Sequence, residues 1–238
     1  MKNFIFIFLL VSSSFALQDD LSLQTYFKNY LNYFNTLRRS SETLHDDYFK
    51  IVTPQITSKV LISAPHTLPH LRKGKYKWAD SGSGALALTL QRATKTHLIY
   101  TTRSGVDPNY YDKSLYKVAL KKYLQEHPEI ELVIDIHGAS PKRSFDVDLG
   151  TMHHKSIRNV ELYKLIKSHF DQSKLKVSEN FFSASKAETI TKFAFNLGLN
   201  SIQMENNVAN LLYPEKKLSL NRLLRAYTNC ILHLEEAL

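Results

Sequence analysis

Glu131-Leu132-Val133-Ile134-Asp135-Ile136-His137-Gly138 reads as a β-strand that delivers an Asp and a His at its carboxyl end. The run is apolar, rich in β-branched residues and of strand length. In open α/β sheets ligands bind in the crevice beyond the carboxyl ends of the strands. His137 is therefore a candidate for chemistry rather than packing, and Gly138 permits close approach of backbone. Other stretches end in the same way. Lys59-Val60-Leu61-Ile62-Ser63 is a short strand closed by Ala64-Pro65-His66, and Asn200-Ser201-Ile202-Gln203-Met204-Glu205 is a strand ending on a carboxylate. A fourth, His97 to Thr101, leads to Arg103 and then to the turn Asp107-Pro108-Asn109.

Between these strands the apolar spacing predicts helices. One runs from Leu21 to Tyr48, broken near Ser40-Ser41, and a loop from Gly82 leads into a second that ends at Ala93. Others cover Lys113 to His127, Val160 to Phe170, Thr189 to Leu197 and Leu218 to Glu236. Strands alternating with helices give an α/β fold with a parallel or mostly parallel sheet covered on both faces.

The chain of 238 residues is long enough for one full core, and residues 17–238 are expected to form a single domain. Residues 1–16 read as a secretory signal peptide: Lys2, an apolar core from Phe4 to Val11, then Ser14-Phe15-Ala16 as the cleavage site. The expected location is secreted or periplasmic. No later stretch has the length and apolarity of a membrane span. The single cysteine, Cys230, cannot form an internal disulfide and reads as a buried thiol. The net charge of +9 attracts anionic partners, but the basic residues are scattered and no nucleic-acid-binding motif is present. The surface reads as solubilising, and the expected partner is a small-molecule or peptide-like substrate rather than nucleic acid.

If the strands run parallel, His66, His137 and Glu205 meet at one sheet edge. Two imidazoles with carboxylates are the donor set of a catalytic zinc site. Asp135, two residues from His137, either fixes its imidazole from behind or simply ends the strand. His70 is an alternate ligand, although Pro69 disfavours a regular helix there. A partly buried Glu205 suits proton transfer from water to a leaving nitrogen.

The ordered set of motifs resembles the N-formylglutamate amidohydrolase family, within the wider group of zinc carboxypeptidase-like hydrolases. The elements that carry it are Ser63-Ala64-Pro65-His66, Asp80 ahead of the Leu86 to Leu90 segment, and Arg103 followed by Asp107-Pro108-Asn109. Then come Asp135-Ile136-His137-Gly138, Arg143 ahead of Asp146-Val147-Asp148-Leu149-Gly150, and Gln203-Met204-Glu205 followed by Tyr213. The resemblance implies a three-layer α/β/α fold around a mixed sheet, with one catalytic zinc. It implies His66 and His137 as histidine ligands, Glu205 as general base, and Arg143 as the group that polarises the scissile carbonyl. Substrate-binding roles fall on Arg103, Asn109 and Tyr213.

Two positions depart from the pattern. The related carboxypeptidases place an acidic ligand three residues after the first His, where this chain has Pro69; Asp80 is the substitute, with His70 second. Glutamate-type relatives often carry an Arg directly after the Asn of the Asp-x-Asn turn, where this chain has Tyr110; Arg103, Arg72 or Lys75 would then hold an anionic group. The expected activity is hydrolysis of a C–N amide bond in an acyl-amino acid or peptide-like, acidic substrate. The alternatives are a carboxypeptidase-like peptidase and an inactive relative that binds acidic ligands.

Overall fold

The computed structural model describes residues 21–38, 43–186 and 188–238. The stretch read as a signal peptide and the expected helix break near Ser40-Ser41 lie outside the described residues. Residues 21–38 form helix α1. Strand β1 (Phe49–Val52), β2 (Val60–Ala64) and the short pair β3 (His70–Arg72) and β4 (Lys75–Lys77) follow. Then come α2 (Ser83–Thr94), β5 (His97–Thr101), α3 (Leu115–Glu126), β6 (Leu132–Ala139) and β7 (Val147–Gly150). The chain continues through α4 (Val160–Gln172), β8 (Val177–Glu179), α5 (Ile190–Asn196), β9 (Asn200–Asn207), α6 (Val208–Leu212) and the long α7 (Lys217–Ala237). Among the described residues no helix is long and apolar enough to cross a membrane.

The seven-stranded sheet has the order β1-β5-β2-β6-β9-β7-β8. Its four central strands, β5, β2, β6 and β9, are mutually parallel, while β1 runs against β5, and β7, with β8 parallel beside it, runs against β9. The expected mostly parallel, mixed sheet is therefore present, and β1, β7 and β8 extend it beyond the strands read from sequence. The helix expected to reach Tyr48 does not: residues 43–48 are irregular, and the Phe49–Val52 segment pairs with β5 instead. A strand of four residues is too short to leave a periodic signal.

Side-chain alternation along each strand divides the core in two. Val60, Ile62, Leu132, Ile134, Ile136, Ile202 and Met204 face a layer built from α1, α2, α4 and α7. Leu61, Ile99 and Val133 face a smaller layer built from α3 and α5, with Tyr116, Leu120 and Ile190. The odd-numbered positions of β6 thus run Val133, Asp135, His137 on the α3–α5 face. That thinner layer covers Val133, and the polar residues of the same stripe open onto the site.

Candidate active site

Register gathers the polar stripe. In the parallel pair β6–β9, Asp135 sits beside Gln203 and His137 beside Glu205. On the far side of β9, Asp148 of β7 stands opposite Glu205. Ser63 of β2 pairs with Asp135 and donates its hydroxyl to the Asp135 carboxylate at 3.1 Å. His66 follows the end of β2, and Asp80 is brought over it by a backbone hydrogen bond from Asp80 N–H to the His66 carbonyl at 2.8 Å. Gly138 leaves room for this approach, since a Cβ there would lie 3.1 Å from the Asp80 Cβ.

The centre of the site is the Asp80 carboxylate. One oxygen lies 2.9 Å from Nδ1 of His137 and 3.3 Å from Nδ1 of His66. The opposite nitrogen of each ring is held from behind. Nε2 of His66 meets Asp107 Oδ1 at 2.7 Å, and Nε2 of His137 meets Asp135 Oδ2 at 3.1 Å. Carboxylates behind the imidazoles fix ring orientation and raise their basicity, as around metal-ligating histidines. The three facing ligand atoms lie within 4.8 Å of one another. Two imidazoles and a carboxylate fit the donor set of catalytic zinc, which takes three protein ligands and leaves a position open.

Electrostatics follow from this geometry. Burial would raise the Asp80 carboxyl, but His137 and His66 pull it well below the usual carboxylate range. Burial would likewise lower both imidazoles, yet the surrounding carboxylates outweigh it, Asp107 and Asp80 for His66, Asp135 and Asp80 for His137. Glu205 behaves oppositely: desolvation pushes its carboxyl up to about 7. The amide of Gln203 donates to Glu205 at 3.1 Å and steadies it.

His70 is drawn in by a local device. The hairpin β3–β4 turns on Lys73-Gly74, both at positive φ, a two-residue loop that glycine favours. The hairpin sets the His70 ring stacked on that of His66, centroids 3.9 Å apart, and brings the Arg72 guanidinium onto Asp107. His70 Nε2 faces Asp107 at 3.6 Å rather than Asp80. Of the two third ligands weighed from sequence, Asp80 is the one aimed at both histidines.

A cavity of about 530 Å³ opens over these groups, with His66, Asp80, His137, Glu205, Asn109 and Arg72 in its wall. Asn109 accepts from Ile190 N–H, and its Nδ2 lies 3.0 Å from His137 Nε2, linking α5 to the centre. The opposite wall is the segment Asn180 to Ala184 with Lys186, and beside it His153. This wall is built from β7: buried Asp148 accepts the backbone N–H groups of Phe181 and Phe182 at 3.1 and 2.8 Å. The Asn180 side chain in turn accepts N–H from Thr151 and His153.

Three expected site residues do not line the cavity. Arg103 is exposed, and its Nη1 donates to both carboxylate oxygens of Asp47, at 2.9 and 2.8 Å. Arg143 stacks its guanidinium on Phe181 and Phe182, 4.9 and 5.2 Å from the ring centroids, an arrangement that cation–π attraction holds. Tyr213 is exposed at the end of α6. Positive charge at the wall comes from Arg72, Lys186 and, when protonated, His153. No spacing in the sequence connects His153 and Asn180 to Lys186, because a buried Asp148 and an asparagine clamp bring them together.

No family model matches the sequence, and a search of curated proteins gives no match. Solved structures do match in three dimensions. N-formylglutamate amidohydrolase from Ralstonia eutropha superposes at TM-score 0.58 and 14% identity, covering 80% of this chain and 98% of that one. The chain has the fold of N-formylglutamate amidohydrolase. A gene product of Agrobacterium tumefaciens matches equally well, at TM-score 0.58 and 13% identity, over 80% of this chain and 96% of its own. The N-formylglutamate amidohydrolase fold is the mixed α/β architecture expected from the motifs, and the likeness extends over nearly the whole length of both neighbours.

Proposed function

We propose that this chain is an exported zinc-dependent amidohydrolase that cleaves a C–N amide bond in a small acyl-amino acid or peptide-like, acidic substrate. The observation that carries the reading is one Asp80 oxygen set between the Nδ1 atoms of His66 and His137, each ring backed by its own carboxylate. His66, Asp80 and His137 would hold the ion. The chemistry such an ion supplies is Lewis acidity toward a carbonyl and a water of lowered pKa.

The chain's own groups do the rest. Glu205, on the strand beside His137 and titrating near neutrality, takes a proton from water at its carboxylate and returns it to the leaving nitrogen. A 530 Å³ cavity suits a substrate of a few residues or an acylated amino acid. Arg72 and Lys186 on its wall attract a substrate carboxylate. Export rests on the charged, apolar and small-residue pattern of residues 1–16.

The test pairs metal content with turnover on a panel of acylated amino acids and short acidic peptides. His66→Ala and His137→Ala each lose one equivalent of zinc together with hydrolysis. Glu205→Gln keeps its zinc and loses turnover by about 10²- to 10⁴-fold. Zinc content unchanged in both histidine variants defeats the site; release of single C-terminal residues from the peptides replaces the amidohydrolase by a carboxypeptidase.

A further inference from the structure

At the amino-terminal edge of the sheet, the pole opposite the cavity, three donors converge that the reading above does not use. His97 opens β5 and is buried. Burial, with His127 beside it, lowers its imidazole below the ordinary value. Its Nδ1 lies 2.7 Å from the Tyr123 hydroxyl, which donates to Thr53 at 2.8 Å. Nε2 is the ring's other nitrogen. It faces the Ser58 carbonyl at 3.1 Å and the Glu129 carboxylate at 3.8 Å.

Glu129 also meets Nδ1 of His127 at 2.9 Å. Imidazole nitrogens, a carbonyl and a carboxylate turned on one point are nitrogen and oxygen donors of the kind a divalent cation takes. The spacing suits one. Nitrogen and oxygen donors around tetrahedral zinc lie roughly 3.3 Å apart, and the separations of 2.9 and 3.8 Å from Glu129 bracket that value. The facing atoms of His97, His127 and Glu129 all fall within 4.8 Å. Imidazole donors with one carboxylate select an ion of the zinc class over calcium or magnesium.

We propose that His97, His127 and Glu129 form a second divalent-cation site of the zinc class, with the Ser58 carbonyl as a further donor. The ion would staple the start of β5 to the connection between α3 and β6. Tyr123, at Nδ1, would hold the His97 ring with Nε2 toward the ion, as partners behind a ligating histidine do. The site is independent of the cavity.

Zinc per chain, measured by emission spectroscopy after gel filtration, tests the site in a His66→Ala/His137→Ala background. That background is expected to retain one equivalent and to melt at higher temperature when zinc is added. Adding His127→Gln/Glu129→Gln removes both the equivalent and the shift. The same pair of substitutions in the otherwise unchanged chain, at partly exposed positions, removes one of two equivalents and leaves amide hydrolysis intact. A background without zinc, or zinc that survives His127→Gln/Glu129→Gln, overturns the site. Failure of the cavity reading is distinct, because the unchanged chain and the His66→Ala/His137→Ala variant then hold equal zinc.

Discussion

The carboxylate of Asp107 is fully buried and takes three donors: Asn109 N–H at 2.8 Å, His66 Nε2 at 2.7 Å and the Arg72 guanidinium. Burial would raise its carboxyl, but His66 above all pulls it far below the usual range. An amide in its place keeps the shape and loses the charge that orients His66. Asp107→Asn is therefore expected to weaken zinc binding about 10- to 100-fold, read by competition with a chromophoric chelator; unchanged affinity would leave Asp107 as a turn residue only. From sequence, Asp107 reads as the first residue of a turn, and the turn exists, since Asn109 N–H bonds the Asp107 side chain. Its hold on His66 needs the β3–β4 hairpin and was not legible. His66, His137 and Glu205 were legible, because polar residues that end apolar strand-length runs stand out against the core pattern. Cys230 makes a second prediction at this scale. Burial pushes its thiol up to about 12, so the thiolate that reacts is scarce near neutrality. Iodoacetamide at mildly alkaline pH should leave the folded protein unlabelled and add one carbamidomethyl group once denaturant is present.

Elements carry the site through period and register rather than through propensity. β6 supplies apolar residues to the larger core at even positions and Asp135 and His137 to the other face at odd ones. A slip of one residue would turn both into the larger apolar core and put Ile134 and Ile136 on the face of the site. β7 escaped the sequence reading because it offers only two apolar side chains, Val147 and Leu149, to that larger core, yet its Asp148 organises the aromatic wall. On the other side of the molecule α4 packs against α7, and His169 meets His233 at 2.9 Å across the pair. Desolvation and then the neighbouring His233 lower the His169 imidazole below its ordinary value. The unfolded chain therefore takes up the proton first. This contribution to stability is complete above pH about 6.5 and is lost as the pH falls toward the depressed value. Urea midpoints should drop between neutral and mildly acidic pH, and His233→Gln should make that drop shallower. Equal slopes in the two proteins would remove the pair from the pH response.

At the scale of the whole molecule, composition announced one domain's worth of core and a net charge of +9. The alternation of strands and helices was enough for the α/β class, and the structure adds which helices cover which face. What composition could not supply is where the charge acts. The cavity has Arg72 and Lys186 in its wall, while Asp80 is matched by the two histidines it faces. The basic excess spread over the rest of the surface adds a long-range attraction for an anionic substrate. Such a field is screened over about 10 Å at 0.1 M salt, whereas contacts inside the cavity are screened far less. For an acidic acyl-amino acid, kcat/KM is therefore expected to fall as sodium chloride rises, with most of the change in KM. The amide of the same compound, lacking the carboxylate, should respond weakly. Lys186→Met should reduce kcat/KM for the acid at low salt and flatten its salt dependence while leaving the neutral amide unaffected. Parallel salt curves for acid and amide would mean that the positive surface serves solubility alone and that recognition lies entirely in the walls of the cavity.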